Sequence, residues 1–242
     1  MTAILAHRGA SADHPENTLR AFRHALVDEP AADGFECDVR LSADGVPFVF
    51  HDDDTDRLTG QGGTLEGRTS AEIAALTVGG EPIPTLAELL ALVTELQPQP
   101  LLINIELKPT GDAAPLIAAC RPLLDPLLDG PHTLIVSSFD PRVLATAMEA
   151  RAPWRLAFLY ETLEALRFLD LLDPKGPLDL HPPHALVDAE HLARYASSSS
   201  PPRRVRTWTV DDDDEARRLV DLGVDALITN VPQRLKRSLQ TP

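Results

Sequence analysis

His7, Arg8, Glu36, Asp38, His51, Glu106 and Lys108 combine the residue types that chemistry on a phosphate ester needs. Three carboxylates can hold a hard cation, two imidazoles can move a proton near neutrality, and an Arg and a Lys can hold an anion. Each of these residues stands at or just past the end of a short apolar run that reads as a strand. In a parallel α/β sheet or barrel such positions gather at one mouth. Residues i and i+2 of a strand face the same way, so Glu36 and Asp38 can share one ion while Glu106 arrives from another strand. An all-oxygen set without thiolates suits Mg or Ca rather than zinc. Acids at strand ends can also be plain rim charges, and a lone histidine there is commonly a packed, hydrogen-bonded residue. The combination is what points to metal-assisted chemistry with general acid and base groups.

The elements that must position these residues are legible as alternating apolar runs and amphipathic stretches. Strand patterns cover Ile4 to Ala6, Gly34 to Asp38, Val46 to Phe50, Leu101 to Leu107, Thr133 to Ser137, Leu156 to Leu159, Leu178 to Leu180, Val205 to Thr209 and Ala226 to Thr229. Helical spacing covers Thr18 to Val27, Thr85 to Leu96, Ala113 to Leu128, Pro141 to Ala150, Glu161 to Leu171, Asp188 to Tyr195 and Asp212 to Leu222. Thr85 followed by Glu88 has the form of a capping box. Strand and helix alternation over the whole length predicts a TIM-type (β/α)8 barrel, as one domain over residues 1–242. The strand patterns exceed the staves of such a barrel by one, so one of them lies outside it.

Composition sets the outer bounds. The 242 residues suffice for one barrel, and 43% hydrophobic with 24% charged residues is an ordinary globular balance. No stretch approaches the roughly 20 apolar residues of a membrane span, and the opening Met-Thr-Ala-Ile-Leu-Ala-His lacks a basic leader region, so a cytoplasmic location is expected. The net charge of -15 argues against nucleic acid as a partner. It also repels phosphate esters at long range, so the site must carry its own positive charge from Arg8, Lys108 and a cation. Cys37 and Cys120 are too few for a disulfide framework or a zinc cluster and read as buried packing residues. The oligomeric state is not legible.

Two segments break the alternation. Only Val39 to Gly45 separates two strands expected to run the same way; an extended return fits the space and a helix does not, while Asp44-Gly45 makes a plain hairpin the competing reading. Residues 52–84 are largely without apolar periodicity apart from a weak helix around Ser70 to Leu76, and read as a small insertion over the mouth after the third strand. Ser197 to Pro202 reads as a surface linker.

The chain resembles the glycerophosphodiester phosphodiesterase family. The resemblance is carried in order by Ala6-His7-Arg8-Gly9-Ala10, Pro15-Glu16-Asn17-Thr18, Glu36-Cys37-Asp38-Val39, Phe50-His51-Asp52, Arg57-Leu58-Thr59-Gly60, Ile83-Pro84-Thr85-Leu86, Ile105-Glu106-Leu107-Lys108, Ser137-Ser138-Phe139, Trp208-Thr209-Val210 and Asp225 to Pro232. It implies a barrel like that of phosphatidylinositol-specific phospholipases C, one divalent cation, Mg or Ca, on Glu36, Asp38 and Glu106, and His7 and His51 as the acid and base flanking the phosphodiester. It further implies attack by a glycerol hydroxyl on phosphorus, followed by opening of a cyclic intermediate by water, to give sn-glycerol 3-phosphate and an alcohol. Arg8 and Lys108 would hold the non-bridging oxygens, Phe139 and Trp208 would wall the pocket or simply pack, and Glu16 and Asn17 would support the site from behind, Asn17 also as a helix cap. Which histidine is the acid, which metal is held and which alcohol leaves, whether choline, ethanolamine, glycerol or inositol, stay open.

Other patterns fail on inspection. The acidic run Asp52, Asp53, Asp54, Asp56 has Arg57 where a calcium loop requires Gly and Gly63 where it requires Glu. Gly60-Gln61-Gly62-Gly63 lacks the strand and helix of a nucleotide loop. His181-Pro182-Pro183-His184 has no acid cluster beside it, although His181 can border the mouth, and Asp211 to Glu215 reads as a solvated helix start. A lipid-directed activity, lysophospholipase D-like or phospholipase C-like, would want an apolar rim where residues 52–80 are mostly polar. A silent metal- or phosphate-binding barrel would be expected to lack a histidine or a ligand, and none is missing.

Overall fold

The computed structural model describes residues 2–95, 99–109, 111–172, 178–196 and 202–240, so most of the linker expected at Ser197 to Pro202 lies outside the described residues. Its strands are β1 (Ala3–His7), β2 (Gly34–Leu41), β3 (Pro47–Val49), β4 (Thr77–Val78), β5 (Glu81–Pro82), β6 (Leu102–Leu107), β7 (Thr133–Ser138), β8 (Arg155–Leu159), β9 (Leu178–His181), β10 (Arg206–Thr207) and β11 (Ala226–Thr229). Its α-helices are α1 (Leu19–Arg23), α2 (Asp56–Thr59), α3 (Ser70–Ile73), α4 (Leu86–Glu95), α5 (Ala114–Leu124), α6 (Pro141–Glu149), α7 (Leu169–Leu172), α8 (Ala189–His191), α9 (Asp213–Leu222) and α10 (Pro232–Gln240). Eight strands run parallel in the order β10-β11-β1-β2-β6-β7-β8-β9. Bridges from Leu180 to Val205 and from Pro183 to Trp208 nearly close the ring between β9 and β10. This is the expected (β/α)8 barrel.

Period-two alternation explains why the staves form and what they expose. On β2 the residues Phe35, Cys37 and Val39 belong to the main core between barrel and helices, with Leu86 and Leu89 of α4 and Val143 and Leu144 of α6. Glu36, Asp38 and Arg40, the alternate set, face inward. A smaller apolar cluster of Leu5, Ala226 and Ile228 forms a second core within the ring. Both cysteines are free and buried, as packing residues. Reciprocal bonds between Thr85 and Glu88 form the expected capping box at the start of α4.

The extra strand is β3, which pairs antiparallel to β2 and is not a stave. The expectation that both strands run the same way is therefore corrected in favour of the hairpin. Its turn is set by Ser42 and Asp44, whose side chains bond each other at 2.7 Å, and by Gly45 at φ 85°. Because β2 runs on to Leu41, past Asp38, the return strand comes back level with that carboxylate, and Phe50 N donates to Asp38 O at 3.0 Å. The overshoot is what carries His51 back to the mouth.

Residues 52–84 contain α2, α3 and the β4–β5 hairpin. With β3 they share an apolar cluster of their own: Phe48, Phe50, Leu65, Ile73, Leu76, Val78 and Ile83. Among the described residues no helix is long and apolar enough to cross a membrane.

Candidate active site

The first stave ends in a backbone that only certain residues tolerate. Arg8 and Gly9 have φ of 56° and 83°, and a Cβ on Gly9 would lie 2.6 Å from the backbone of Ala21. Glycine is required here, because the loop presses against α1 while turning Arg8 toward the mouth. The Arg8 guanidinium donates to Glu16 Oε1 at 2.9 Å and lies 3.2 Å from Asp38 Oδ2. Asn17 is not the helix cap; Thr18 is, accepting from Ala21 N. Asn17 instead donates from Nδ2 to Asp38 Oδ2 at 2.8 Å, a better use of a buried amide than a cap that a hydroxyl can supply.

Glu36, Asp38 and Glu106 come together from β2 and β6, all buried, with one oxygen of each within 4.8 Å of the others. Lys108 Nζ lies 2.7 Å from Glu106 and 3.5 Å from Asp38. Arg8 and Lys108 do not neutralise the trio evenly. Burial would raise the Asp38 carboxyl, but the charges of Arg8 and Lys108 outweigh it and hold it at about 2. Burial, with Asp38 close by, pushes Glu106 up to about 7, and burial with both acidic neighbours raises Glu36 well above its usual range. Glu36 Oε2 and Asp38 Oδ1 are buried without a hydrogen-bond partner. Buried carboxylate oxygens that lack hydrogen bonds and lie close together are what a hard divalent cation would satisfy, so the donor set fits Mg or Ca.

The two histidines both line the cavity, and each has its Nδ1 engaged. His7 Nδ1 meets Asn230 Oδ1 at 2.7 Å, while Asn230 Nδ2 donates to Asp211 Oδ2 at 2.7 Å. A carboxylate only accepts, so the amide orientation is fixed and His7 carries its proton on Nδ1. Its Nε2, 3.8 Å from Glu36 Oε2, is left for the cavity. Burial, then the neighbouring charge of Arg8, lowers the His7 pKa to about 4. His51 Nδ1 lies 2.6 Å from Asp52 Oδ1, so its Nε2 is the free edge as well. Burial lowers the His51 pKa too, with Asp38 acting against it.

Six of these seven residues, all but Asp38, line a cavity of about 360 Å³ in which Phe139 and Trp208 form one wall. The two rings meet edge to face at 5.5 Å, and Lys108 Nζ stands 5.8 Å from the Phe139 centroid. Glu16 lies behind the site, where it bonds Arg57 as well as Arg8, and Arg57 in turn bonds Asp52. A charged chain thus runs from His51 through Asp52, Arg57 and Glu16 to Arg8.

Three supporting groups escaped the sequence reading. Arg40 is buried and donates to the backbone carbonyls of His51 and Lys108 at 2.9 and 3.1 Å, pinning both ends of the site. Its signal was its parity with Glu36 and Asp38 on β2. Asp211 is not part of the solvated helix start, which Asp212 caps, but the anchor of the His7–Asn230 pair. Asn104 lies two residues before Glu106, on the same face of β6, and lines the cavity. His181, expected as a possible border of the mouth, is fully buried beside Arg206 and is not among the residues lining the cavity.

A barrel whose strand ends bring carboxylates, imidazoles and cations to one cavity is of the class that acts on phosphate esters. The profile of the Glycerophosphoryl diester phosphodiesterase family matches residues 7–234, and the chain belongs to that family. A glycerophosphodiester phosphodiesterase of Bacillus altitudinis is 31% identical, over 97% of this chain and 96% of its own length. Another, from Caldanaerobacter subterraneus, is 30% identical over 97% and 96%. Among solved structures, an Oleispira antarctica phosphodiesterase in complex with the product sn-glycerol 3-phosphate has 26% identity and a TM-score of 0.83, covering 100% of this chain and 98% of that one. A glycerophosphodiester phosphodiesterase of Thermotoga maritima has 30% identity and a TM-score of 0.78, over 98% of each chain.

Proposed function

We propose that this chain is a glycerophosphodiester phosphodiesterase that releases sn-glycerol 3-phosphate and an alcohol, with His7 and His51 as base and acid and Glu36, Asp38 and Glu106 as ligands of one Mg or Ca. The observation that carries the reading is the convergence of the carboxylate trio, whose Glu36 lies 3.8 Å from the free Nε2 edge of His7. When bound, the cation would polarise the phosphoryl group and neutralise the acids. Arg8 and Lys108 hold the non-bridging oxygens and offset the charge that builds on them. The Nδ1 partner of His7 is a neutral amide, so that ring stays neutral and its Nε2 takes the proton of the attacking glycerol hydroxyl. The Nδ1 partner of His51 is a carboxylate, which works against the lowering of its pKa by burial, so of the two rings His51 is the one placed to protonate the departing alkoxide as the new P–O bond forms and the old one breaks. The roles then reverse as water opens the cyclic phosphate. Phe139 and Trp208 shield the organic part of the substrate from water, Glu16 and Asn17 hold Arg8 and Asp38 in place, and residues 52–84 act as an insertion that supports His51 through Arg57 and Asp52.

The test is release of sn-glycerol 3-phosphate from a panel of glycerophosphodiesters by purified protein, with Mg or Ca and again after chelation. Cation-dependent release supports the reading; no release from any member under either metal contradicts it.

A further inference from the structure

We propose that Asn104 recognises the pair of adjacent free hydroxyls on the substrate's glycerol, and so makes the enzyme selective for a vicinal diol next to the scissile phosphodiester. The inference rests on the function proposed above and deepens it. Asn104 faces into the barrel two residues below Glu106, and its register partner on β2 is Glu36. Its side chain is fully buried, 0% exposed, and borders the cavity. Neither Oδ1 nor Nδ2 has a hydrogen-bond partner in the protein. Leaving both ends of a buried amide unpaired is unfavourable, and such groups are normally satisfied by a ligand or water.

Other buried polar atoms lack partners too, among them Ser137 Oγ, His181 Nδ1 and Arg206 Nε, but none of those residues lines the cavity. Among the cavity-lining residues Arg8 Nε and Glu36 Oε2 are also without a hydrogen-bond partner, but both belong to charged groups held in ion pairs or facing the acid cluster, whereas Asn104 is a neutral amide with both its ends unpaired. Its chemistry selects the occupant. A cation would use Oδ1 and leave Nδ2 unsatisfied. A phosphate would use Nδ2 and leave Oδ1 facing an anion. Two neighbouring hydroxyls satisfy both ends, one accepting from Nδ2 and the other donating to Oδ1. A glycerophosphodiester offers that pair, with its phosphate directed toward Arg8 and Lys108 and its carbons against the apolar lining residues Leu159 and Ile228.

The experiment compares kcat/KM for a glycerophosphodiester with a choline leaving group and for its analogue lacking only the terminal hydroxyl, in the wild type, Asn104→Leu and Asn104→Ala. The attacking hydroxyl is retained in both substrates, so the chemistry is held constant. The wild type is expected to prefer the diol by at least about a hundredfold, the scale of losing a hydroxyl from a site built to bond it. Both variants should lower this ratio to within about threefold, by losing rate on the diol alone. Asn104→Leu should melt no lower than the wild type, because it replaces an unpaired amide with an apolar group of similar shape. An unchanged preference in both variants overturns the proposal, as does an Asn104→Leu protein that fails to fold, which would mean that the amide serves the structure. A wild type that cleaves neither substrate overturns the parent reading instead, and this inference with it.

Discussion

The barrel holds two buried acidic centres that are treated in opposite ways. Asp179 on β9 is enclosed by bonds from Arg155 Nη2 at 2.7 Å, Arg206 Nη1 at 2.6 Å and the Arg204 amide at 3.2 Å. Burial would raise its carboxyl, but the bond from Arg155 and the charge of Arg206 outweigh it and hold the group below its usual range. At the mouth, Arg8 and Lys108 are the Arg and Lys side chains within ion-pair distance of the trio of Glu36, Asp38 and Glu106 among the described residues, and Glu36 and Glu106 are pushed upward. Both centres stand on inward positions of strands, so the difference is not one of depth. One is a carboxylate enclosed by cationic donors that serves the fold; the other keeps buried oxygens without hydrogen bonds, which a protein sustains where a ligand completes the site.

Removing the balance at Asp179 should have the largest effect. Asp179→Ala leaves the Arg206 guanidinium, itself 1% exposed, without its counter-charge, and should lower unfolding free energy by about 3–5 kcal/mol. Denaturant melts would register this, while kcat at a temperature well below the transition should stay near the parent value. The mouth should behave the other way. His7→Ala or His51→Ala should cut turnover at least about a hundredfold, the usual scale of acid or base loss. The urea midpoint should barely move, and near-parental turnover in either variant would remove that histidine from its role.

Smaller, but more pointed, is the response to pH of protein freed of divalent cations. Glu106 ionises at 4.5 in an unfolded reference and at about 7 when folded. The folded state therefore binds the extra proton, and stability should fall as pH rises across that window. Asp179 has the opposite sign, its contribution being present above the ordinary aspartate range and lost in acid. Melting temperature under chelation should thus drop by about 2–4 °C between about pH 5 and about pH 8, if the mouth contributes on the order of 1 kcal/mol. Saturating Mg or Ca should remove the drop, and a flat profile in both conditions would mean that the mouth is balanced after all.

What the sequence made legible follows from how local each signal is. The alternation of Phe35, Cys37 and Val39 with Glu36 and Asp38 is a property of the strand itself, and it correctly sent Cys37 outward and the acids inward. The barrel followed from the repetition of such runs. The direction of β3 was not local: it depended on β2 extending to Leu41, which the apolar pattern ending at Asp38 did not reveal. Asn17 and Thr18 are adjacent residues of similar capping propensity, and only the approach of Asp38 decides that the first serves the site and the second the helix. Asp211 and Asn230 meet His7 across the junction of the first and last staves, a contact between residues more than two hundred positions apart. Arg40 and Asn104 carried the parity of recognised site residues, and that parity is the signal that could have found them.

The most direct test of the contrast between the two centres is calorimetric titration of Ca or Mg into chelator-treated wild type and into Glu36→Gln, which removes a charge at the mouth and keeps its shape. The account predicts one ion per chain in the wild type, binding more tightly as pH rises because the raised carboxyls must release protons, and loss of that binding in the variant with its fold intact. Binding of equal strength in both proteins, or no binding to the wild type, would contradict the claim that the converging oxygens of Glu36, Asp38 and Glu106 are kept for a cation.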